Sequence, residues 1–292
     1  MLSCDAVLIH YGDQGPTVEV ANAAVAWASR VVVVSNDLSQ RPSQLADSVR
    51  WAVPDRNLGF GGGLNFGANF CDAEVLCALN NDIELSTAVV QKCLEVMQLN
   101  PRVAISGPSL VYSDGSVQSS VGSFSPIIKW PKANNSIPEA PVECDWITGA
   151  VMFIKREYWL TWPMDETYFL GCEDADYCLR AAKNGMSVML VPASGAVHYG
   201  SKVISGPRWN YYYARNHIWF CRDCFSRLRA AALVSWLVLR CLRVVVADLS
   251  KRRGFQRSIS TIRGIRDGFL PKPPYGNGPL VGEPIPARWL DW

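Results

Sequence analysis

The chain has 292 residues, 49% of them hydrophobic and 18% charged, with a formal net charge of +2. This composition excludes a disordered chain and supplies enough apolar material for one large core or two modest ones. A net charge so close to zero argues for no polyanionic partner by itself, but the basic residues gather after about position 208, so an anionic surface, if one is bound, belongs to the last third.

Ten cysteines are spread along the chain, and only Cys221 and Cys224 share a C-x-x-C spacing. With no second pair, and with aromatic and basic residues around them in an expected helix, these two read as small buried hydrophobes rather than as a metal or redox pair. Residues 1–9 carry no basic leader and are too short to cross a bilayer, so the expectation is a cytoplasmic protein with reduced cysteines.

Residues 6–9 (AVLI) make a short apolar strand that runs into a turn at His10, Tyr11, Gly12 and Asp13. A helix over about 17–28 follows. Four consecutive valines, 31–34, are too few for a helix and β-branched throughout, so they form a buried parallel strand ending at Ser35, Asn36 and Asp37. Strand, helix and strand at this spacing are a βαβ unit, and nucleotides bind at the carboxyl ends of such strands. Residues 56–67 (RNLGFGGGLNFG) are either a close backbone approach to a phosphate or sugar or the tight entry to a helix; the pattern is neither a Walker loop nor a dinucleotide fingerprint. Residues 75–79 (VLCAL) are another buried strand, ending in Asn80, Asn81 and Asp82. A carboxylate there suits a hard divalent cation that completes its shell with phosphate and water, or it caps the next helix, about 86–98.

A strand over 103–111 is closed by a turn at Ser113, Asp114 and Gly115, and 122–141, rich in Pro, Ser and Asn, reads as a loop over the cleft. Residues 145–150 (DWITGA) lead into a strand at 151–154, and Lys155, Arg156 and Glu157 start a short helix. In the block 166–198, Glu173, Asp174 and Asp176 sit at a helix start, Arg180 follows Asp176 at i,i+4 spacing, and Gly185 lies past the end. Acids in this place are helix caps or catalytic carboxylates. Residues 187–192 (SVMLVP) form a buried strand that ends in a loop carrying His198, so a helix start and a strand end can bring carboxylates and an imidazole into one cleft.

Residues 208–221 interleave aromatic and basic side chains, a pattern that suits base stacking, but no RNA-binding motif accompanies it. Residues 230–246 are strongly apolar yet hold Arg240 and Arg243, with Arg227, Arg229, Lys251, Arg252 and Arg253 on the flanks. Central arginines disfavour a membrane span, and the expectation is an interfacial amphipathic helix on an anionic membrane. Residues 271–292, with six prolines, read as a loosely held tail.

Ser35-Asn36 after the valine run, NLGFGGGLN, the Asn80-x-Asp82 strand end, Thr148-Gly149-Ala150 before MFIKRE, FLGCEDADYCLR and the later His198 together resemble the inverting family 2 glycosyltransferases, in particular their bacterial rhamnosyltransferase-like branch. The resemblance spans about residues 5–220. It implies a GT-A fold, an α/β architecture with a Rossmann-like, mixed, mostly parallel sheet and flanking helices, here followed by a C-terminal amphipathic helical extension. The expected division is a glycosyltransferase domain at 1–225, a membrane-associating helical region at 226–270 and the tail at 271–292. The resemblance also assigns roles. Asn36 would face the donor base, Asp82 and His198 would hold Mg²⁺ or Mn²⁺, and Asp174 would be the general base with Glu173 beside it. Donor contacts would come from His10, Tyr11, Asn57, Gly59, Phe60, Gly61, Gly62, Asn65, Asn80 and Asn81, and acceptor contacts from Trp146, Thr148, Gly149 and Asp176. Two positions depart from the family pattern: Ser35 stands where an acid is common, and Asn80 leaves one carboxylate in the metal motif.

The implied function is metal-dependent transfer of a sugar, rhamnose from dTDP-rhamnose as the first choice, from a dTDP- or UDP-linked donor to a lipid-linked or polysaccharide acceptor, at the inner face of the plasma membrane and with no nucleic-acid partner. A single displacement inverts the anomeric centre and needs one base, unlike the carboxylate pair of glycoside hydrolases. A sugar-phosphate nucleotidyltransferase is the alternative enzyme; it would want a basic phosphate-gripping motif near the N-terminus, which the sequence lacks. A non-catalytic nucleotide-sugar-binding subunit is the third reading, distinguished by Asp174 and Asp82 being dispensable.

Overall fold

The computed structural model describes residues 1–193, 195–199, 206–250 and 254–272. In chain order the elements are β1 (Cys4–His10), α1 (Gln14–Ala24), β2 (Val31–Ser35), β3 (Val49–Ala52), α2 (Gly59–Ala68), β4 (Val75–Asn80), β5 (Ile83–Leu85) and α3 (Thr87–Leu99). Next come β6 (Val103–Pro108), β7 (Leu110–Val111), β8 (Val117–Ser119), β9 (Gly122–Phe124), β10 (Pro131–Ala133), β11 (Val142–Glu143), β12 (Val151–Lys155) and α4 (Arg156–Thr161). A 3₁₀ turn at Glu166–Tyr168 precedes α5 (Glu173–Lys183), β13 (Ser187–Val191), β14 (Ala196–His198), α6 (Pro207–Cys224), α7 (Arg227–Ser250) and α8 (Gln256–Gly268). These elements fall into two compact units, the first holding most of 1–201 and the second holding 124–130, 166–172 and the described residues after 205.

The first unit is built on an eight-stranded sheet of order β11-β13-β6-β12-β4-β1-β2-β3. Strands β3, β2, β1 and β4 run parallel, and β12 lies antiparallel between β4 and β6. The valine run shows why it is a central strand. Val31 and Val33 point into one core with Leu8, Met97 and Phe153, while Val32 and Val34 point into the other with Leu64, Leu76 and Tyr177. Alternate residues on opposite faces, both covered, is the pattern of a strand between two helical layers. A second sheet of order β5-β14-β7-β8 lies in the same unit.

Several sequence expectations shift here. Helix α1 spans Gln14–Ala24 rather than 17–28, because the Asp13 side chain accepts the Gly15 N–H and starts the helix early. The expected strand 103–111 divides between the two sheets; Pro108 cannot extend the donor ladder, and the Ser109 N–H turns to the carbonyl of Val191. Residues 122–141 are not simply a loop, since β9 and β10 pair within them. His198 lies on a strand, not in a loop.

In the second unit, α8 lies close against α6 because Gly264 faces the Tyr211 carbonyl and Ala214, and Gly268 faces Ile218, where a Cβ would collide. The aromatic residues of α6 are mostly inside: Tyr211, Tyr212, Trp219 and Phe220 are buried, and the Arg215 guanidinium lies 4.3 Å from the Trp219 ring centre. The interleaving read from the sequence is therefore internal packing. Arg215 and Asn216 donate to the carbonyls of Tyr168, Leu170 and Gly171, fastening the segment just before Glu173. Cys221 is buried with its thiol directed at the Ile128 carbonyl.

Helix α7 is apolar on two sides, burying Ala230, Leu233, Leu237 and Cys241. Its described outer stripe carries Leu239, Leu242, Val246 and Leu249, all more than half exposed, and no helix among the described residues is long and apolar enough to cross a membrane. Helix α8 buries Ser258, Ser260, Gly264 and Gly268 and exposes Ile259 and Ile262. The basic run 251–253 and the tail from 273 onward lie outside the described residues.

Candidate active site

Strand register brings the first group of candidates to one edge. His10 is opposite Ser35 and Ile9 is opposite Asn80, so β1, β2 and β4 end together, the edge of an open α/β sheet where ligands bind. His10 itself is fully buried, its Nδ1 2.8 Å from Thr17 Oγ1 and its Nε2 3.3 Å from Asp37 Oδ2. Burial lowers its pKa, against the opposite pull of Asp37 and Asp13. Asn81 donates to the same Thr17 hydroxyl, and Tyr11 stands exposed at the rim. Asp37, next to Asn36, is a charged group at the same strand end. Burial alone would raise its carboxyl, but hydrogen bonds from the Gly12 N–H, Ser39 and the Ser35 hydroxyl bring it down to about 2, so it stays ionised. Its position directly after a strand end was the available signal.

Asn36 is otherwise engaged. It is buried, donates to the Gly59 carbonyl at 2.7 Å and accepts the Leu58 N–H at 3.3 Å, so its amide holds the glycine-rich turn against the end of β2. Asn57 accepts the Gly59 N–H, and Gly59 has φ of +71°, a conformation glycine adopts without steric cost. Asn65 both donates to and accepts from the Met164 backbone. Gly61 and Gly62 are buried in α2, and Gly61 faces Met164, Asp165 and Glu173. Of the remaining candidates, Tyr11 is exposed, and Asn80 and Asn81 are partly buried.

Asp82 lies between β4 and β5, and β14 pairs with β5 so that His198 is opposite Ile83. The pairing brings His198 Nε2 to 3.2 Å from Asp82 Oδ2, although 116 residues separate them. Both side chains are largely enclosed. The other ring nitrogen, Nδ1, is 2.7 Å from Oε1 of Gln118 on β8, a residue with no motif to mark it in the sequence. One carboxylate and one imidazole form a donor set that fits Mg²⁺ or, better, Mn²⁺ if a bound ligand supplies the remaining oxygens. Among the described residues no group of three or more such side chains converges, so these two would supply only part of a shell.

The acids of α5 come next. Asp174 Oδ2 accepts the Gly149 N–H at 3.0 Å and Oδ1 accepts the Ala175 N–H at 2.7 Å. Burial pushes its carboxyl up from the ordinary range, opposed by those backbone donors. Gly149 also lies against the Phe60 ring, so the start of α2, the Thr148–Gly149 turn and the start of α5 meet at Asp174. Glu173 is buried beside Gly61. Asp176 is buried and bonded to Arg180 Nε at 2.8 Å, which gives it a structural task rather than an open face for an acceptor. Trp146 donates from its indole to the Ser123 carbonyl, and the Thr148 hydroxyl accepts the Ala150 N–H.

Residues 22–155 match the family model of Glycosyl transferase family 2. A stretch of 56 residues is 38% identical to rhamnosyltransferase WbbL of Escherichia coli (strain K12), covering 19% of this chain and 21% of that one. The chain thus spans about a fifth of that relative's length. Among solved structures, GalNAc-T7 with UDP, GalNAc and Mn²⁺ aligns with a TM-score of 0.57 at 14% identity, over 86% of this chain and 58% of that one. Mannosyltransferase PcManGT from Pyrobaculum calidifontis, in complex with GDP-Man and Mn²⁺, aligns with a TM-score of 0.54 at 13% identity, over 91% and 87%. The fold is that of GT-A glycosyltransferases, and residues 22–155, a little under half of the chain, are similar to the family 2 model.

Proposed function

We propose that the protein is a metal-dependent, inverting glycosyltransferase that moves a sugar from a dTDP- or UDP-linked donor, rhamnose being the first choice, to a lipid-linked or polysaccharide acceptor. The observation that carries this reading is the convergence of Asp82 and His198 beside the strand ends, in a unit that also sets Asp174 at a helix start against Gly149. The WbbL match supports a glycosyltransferase of this family, and the Mn²⁺-bound structures are consistent with a divalent metal.

In this mechanism Asp37, Tyr11, Asn80 and Asn81 border the place where the nucleoside would lie. Asp82 and His198 would hold the divalent cation, which when bound supplies positive charge to the departing diphosphate. Asp174 takes the proton from the acceptor hydroxyl as its oxygen attacks the anomeric carbon from the face opposite the leaving group, which inverts that centre. A carboxyl raised by burial is a stronger base than an ordinary one once ionised, and the Gly149 N–H fixes which oxygen points where. Glu173 supports it.

The proposal extends to location at the inner face of the plasma membrane, where a lipid-linked acceptor would be met. Its support is the apolar outer face of α7 and α8 and the charge around it: residues 206–272 contain fourteen Lys or Arg against three Asp. The test is selective thermal stabilisation by members of a nucleotide-sugar panel with and without Mn²⁺, followed by transfer from the stabilising donor and determination of the product's anomeric configuration. Stabilisation by no nucleotide sugar, or a product with retained configuration, refutes the reading.

A further inference from the structure

We infer that Asn216 is a positioning residue that fixes the backbone from which α5 starts and thereby the place of the Asp174 carboxylate. The inference rests on the base role proposed for Asp174.

The chain arrives at α5 in a conformation that is costly for its residues. Phe169, Gly171 and Cys172 all have left-handed φ, at +63°, +82° and +77°. Glycine takes that region freely, whereas Phe169 and Cys172 hold it only where their surroundings over-determine the backbone. The curl turns the carbonyls of Tyr168, Leu170 and Gly171 toward one point, and Asn216 Nδ2 occupies it, at 2.9, 2.7 and 2.8 Å. Chemistry sets the orientation of this amide. Arg215 Nε–H only donates, so the atom 2.9 Å from it is Oδ1, and the nitrogen faces carbonyls that only accept. A turned amide would set donor against donor and a fourth acceptor against three. Arg215 is itself buried, donates to the Tyr168 carbonyl, and lies 4.3 Å from the Trp219 ring centre and 4.9 Å from that of Tyr212. Tyr212 also stacks on Phe169. This clamp lies wholly within the second unit. The chain leaves it through the Cys172–Glu173 peptide bond, so Asp174 stands two residues beyond the last left-handed residue.

In the wild-type protein the Asn216 side-chain NH₂, followed by ¹⁵N NMR, should exchange with solvent at least about 100-fold more slowly than that of an exposed asparagine. Asn216→Asp keeps the size and the acceptor for Arg215 but sets a carboxylate oxygen against three carbonyls, so the curl should open. The amides of Gly149 and Ala175, which donate to Asp174, should then exchange roughly 10- to 100-fold faster, with those of β1 and β4 unchanged. With dTDP-rhamnose and Mn²⁺, kcat should fall by roughly 10- to 100-fold while KM stays within about twofold, a split that general loss of packing does not produce. Fast exchange of the wild-type Asn216 amide overturns the proposal and needs no variant to fold. So does unchanged exchange at Gly149 and Ala175 in Asn216→Asp, or equal acceleration throughout the chain. If the wild-type protein does not turn over dTDP-rhamnose, or Asp174→Asn does so at the normal rate, the proposed donor or base fails, and the exchange results still decide what Asn216 holds.

Discussion

Asp174 Oδ2 accepts the Gly149 N–H at 3.0 Å, so the carboxylate that begins α5 is aimed by the turn that precedes β12. Asp174→Asn preserves the shape and removes the proton acceptor. Donor binding should persist while the transfer rate falls by roughly 10²–10⁴-fold, measured where chemistry limits turnover. Near-normal turnover would shift the assignment to Glu173.

The pH behaviour follows from the same burial. Because the folded pKa is raised, the native state holds that proton more tightly than the unfolded chain; Asp174 contributes stability at low pH that is lost as pH rises through its folded value. Asp174→Asn should therefore raise Tm at neutral pH. The rate, which needs the ionised form, should rise with pH along an acidic limb above the usual carboxylate range. A lowered Tm in the variant at pH 7 would contradict the sign.

Removing metal should abolish transfer, and Mn²⁺ should restore it. Asp82→Ala should weaken metal-dependent nucleotide binding by calorimetry, with His198→Ala showing a milder version of the defect because the carboxylate remains. Binding unchanged by chelator in the wild-type protein would take the metal out of the site.

The outer stripe of α7 makes a separate prediction. Replacing Leu239, Leu242 and Val246 together by Ser should reduce co-sedimentation with vesicles containing anionic lipid by at least about tenfold, since these side chains are more than half exposed and would each bury apolar area in the bilayer. Arg243→Glu should lower binding more at low salt than at high salt. Equal partitioning of all three proteins would show that another surface, or none, meets the membrane.

Gly67 is placed where α2 crosses β1 and β2, and a Cβ there would run into Val7 and Val34. Gly67→Ala should lower stability by about 1–3 kcal/mol, the ordinary cost of overpacking, as read from denaturant unfolding. No loss would mean that α2 can lift from the sheet freely.

The order of strands and helices in the first unit was legible because its signals are local: a valine run, strand ends marked by Asn and Asp, and acids at a helix start. What was not legible depends on pairing between distant segments. Nothing near Gln118 in the sequence announces a partner 80 residues away, and the register that places His198 beside Asp82 belongs to a short strand that a loop reading conceals. Asn36 was picked out correctly as a residue of the strand end, but only the structure shows its amide tied to Leu58 and Gly59, leaving Asp37 the charged group at that edge. The inverted exposure of α8 escaped for a related reason. Ser258, Ser260, Gly264 and Gly268 look like a solvent face until α6 is seen to need small residues there.

The cysteines supply a clock. Burial pushes the Cys71 thiol up to about 12 and that of Cys144 up to about 11, so these groups are poor nucleophiles while the chain is folded. Cys4, Cys77 and Cys93 lie in the core on one side of the large sheet, Cys178 lies on the other, and Cys241 is buried on α7 against the Ser258 carbonyl. An alkylating reagent should therefore label each cysteine at the rate at which its own neighbourhood opens. Mass spectrometry of the labelled peptides would rank those openings across both units without any substitution, and a bound nucleotide should slow the thiols of the first unit while leaving Cys241 unchanged.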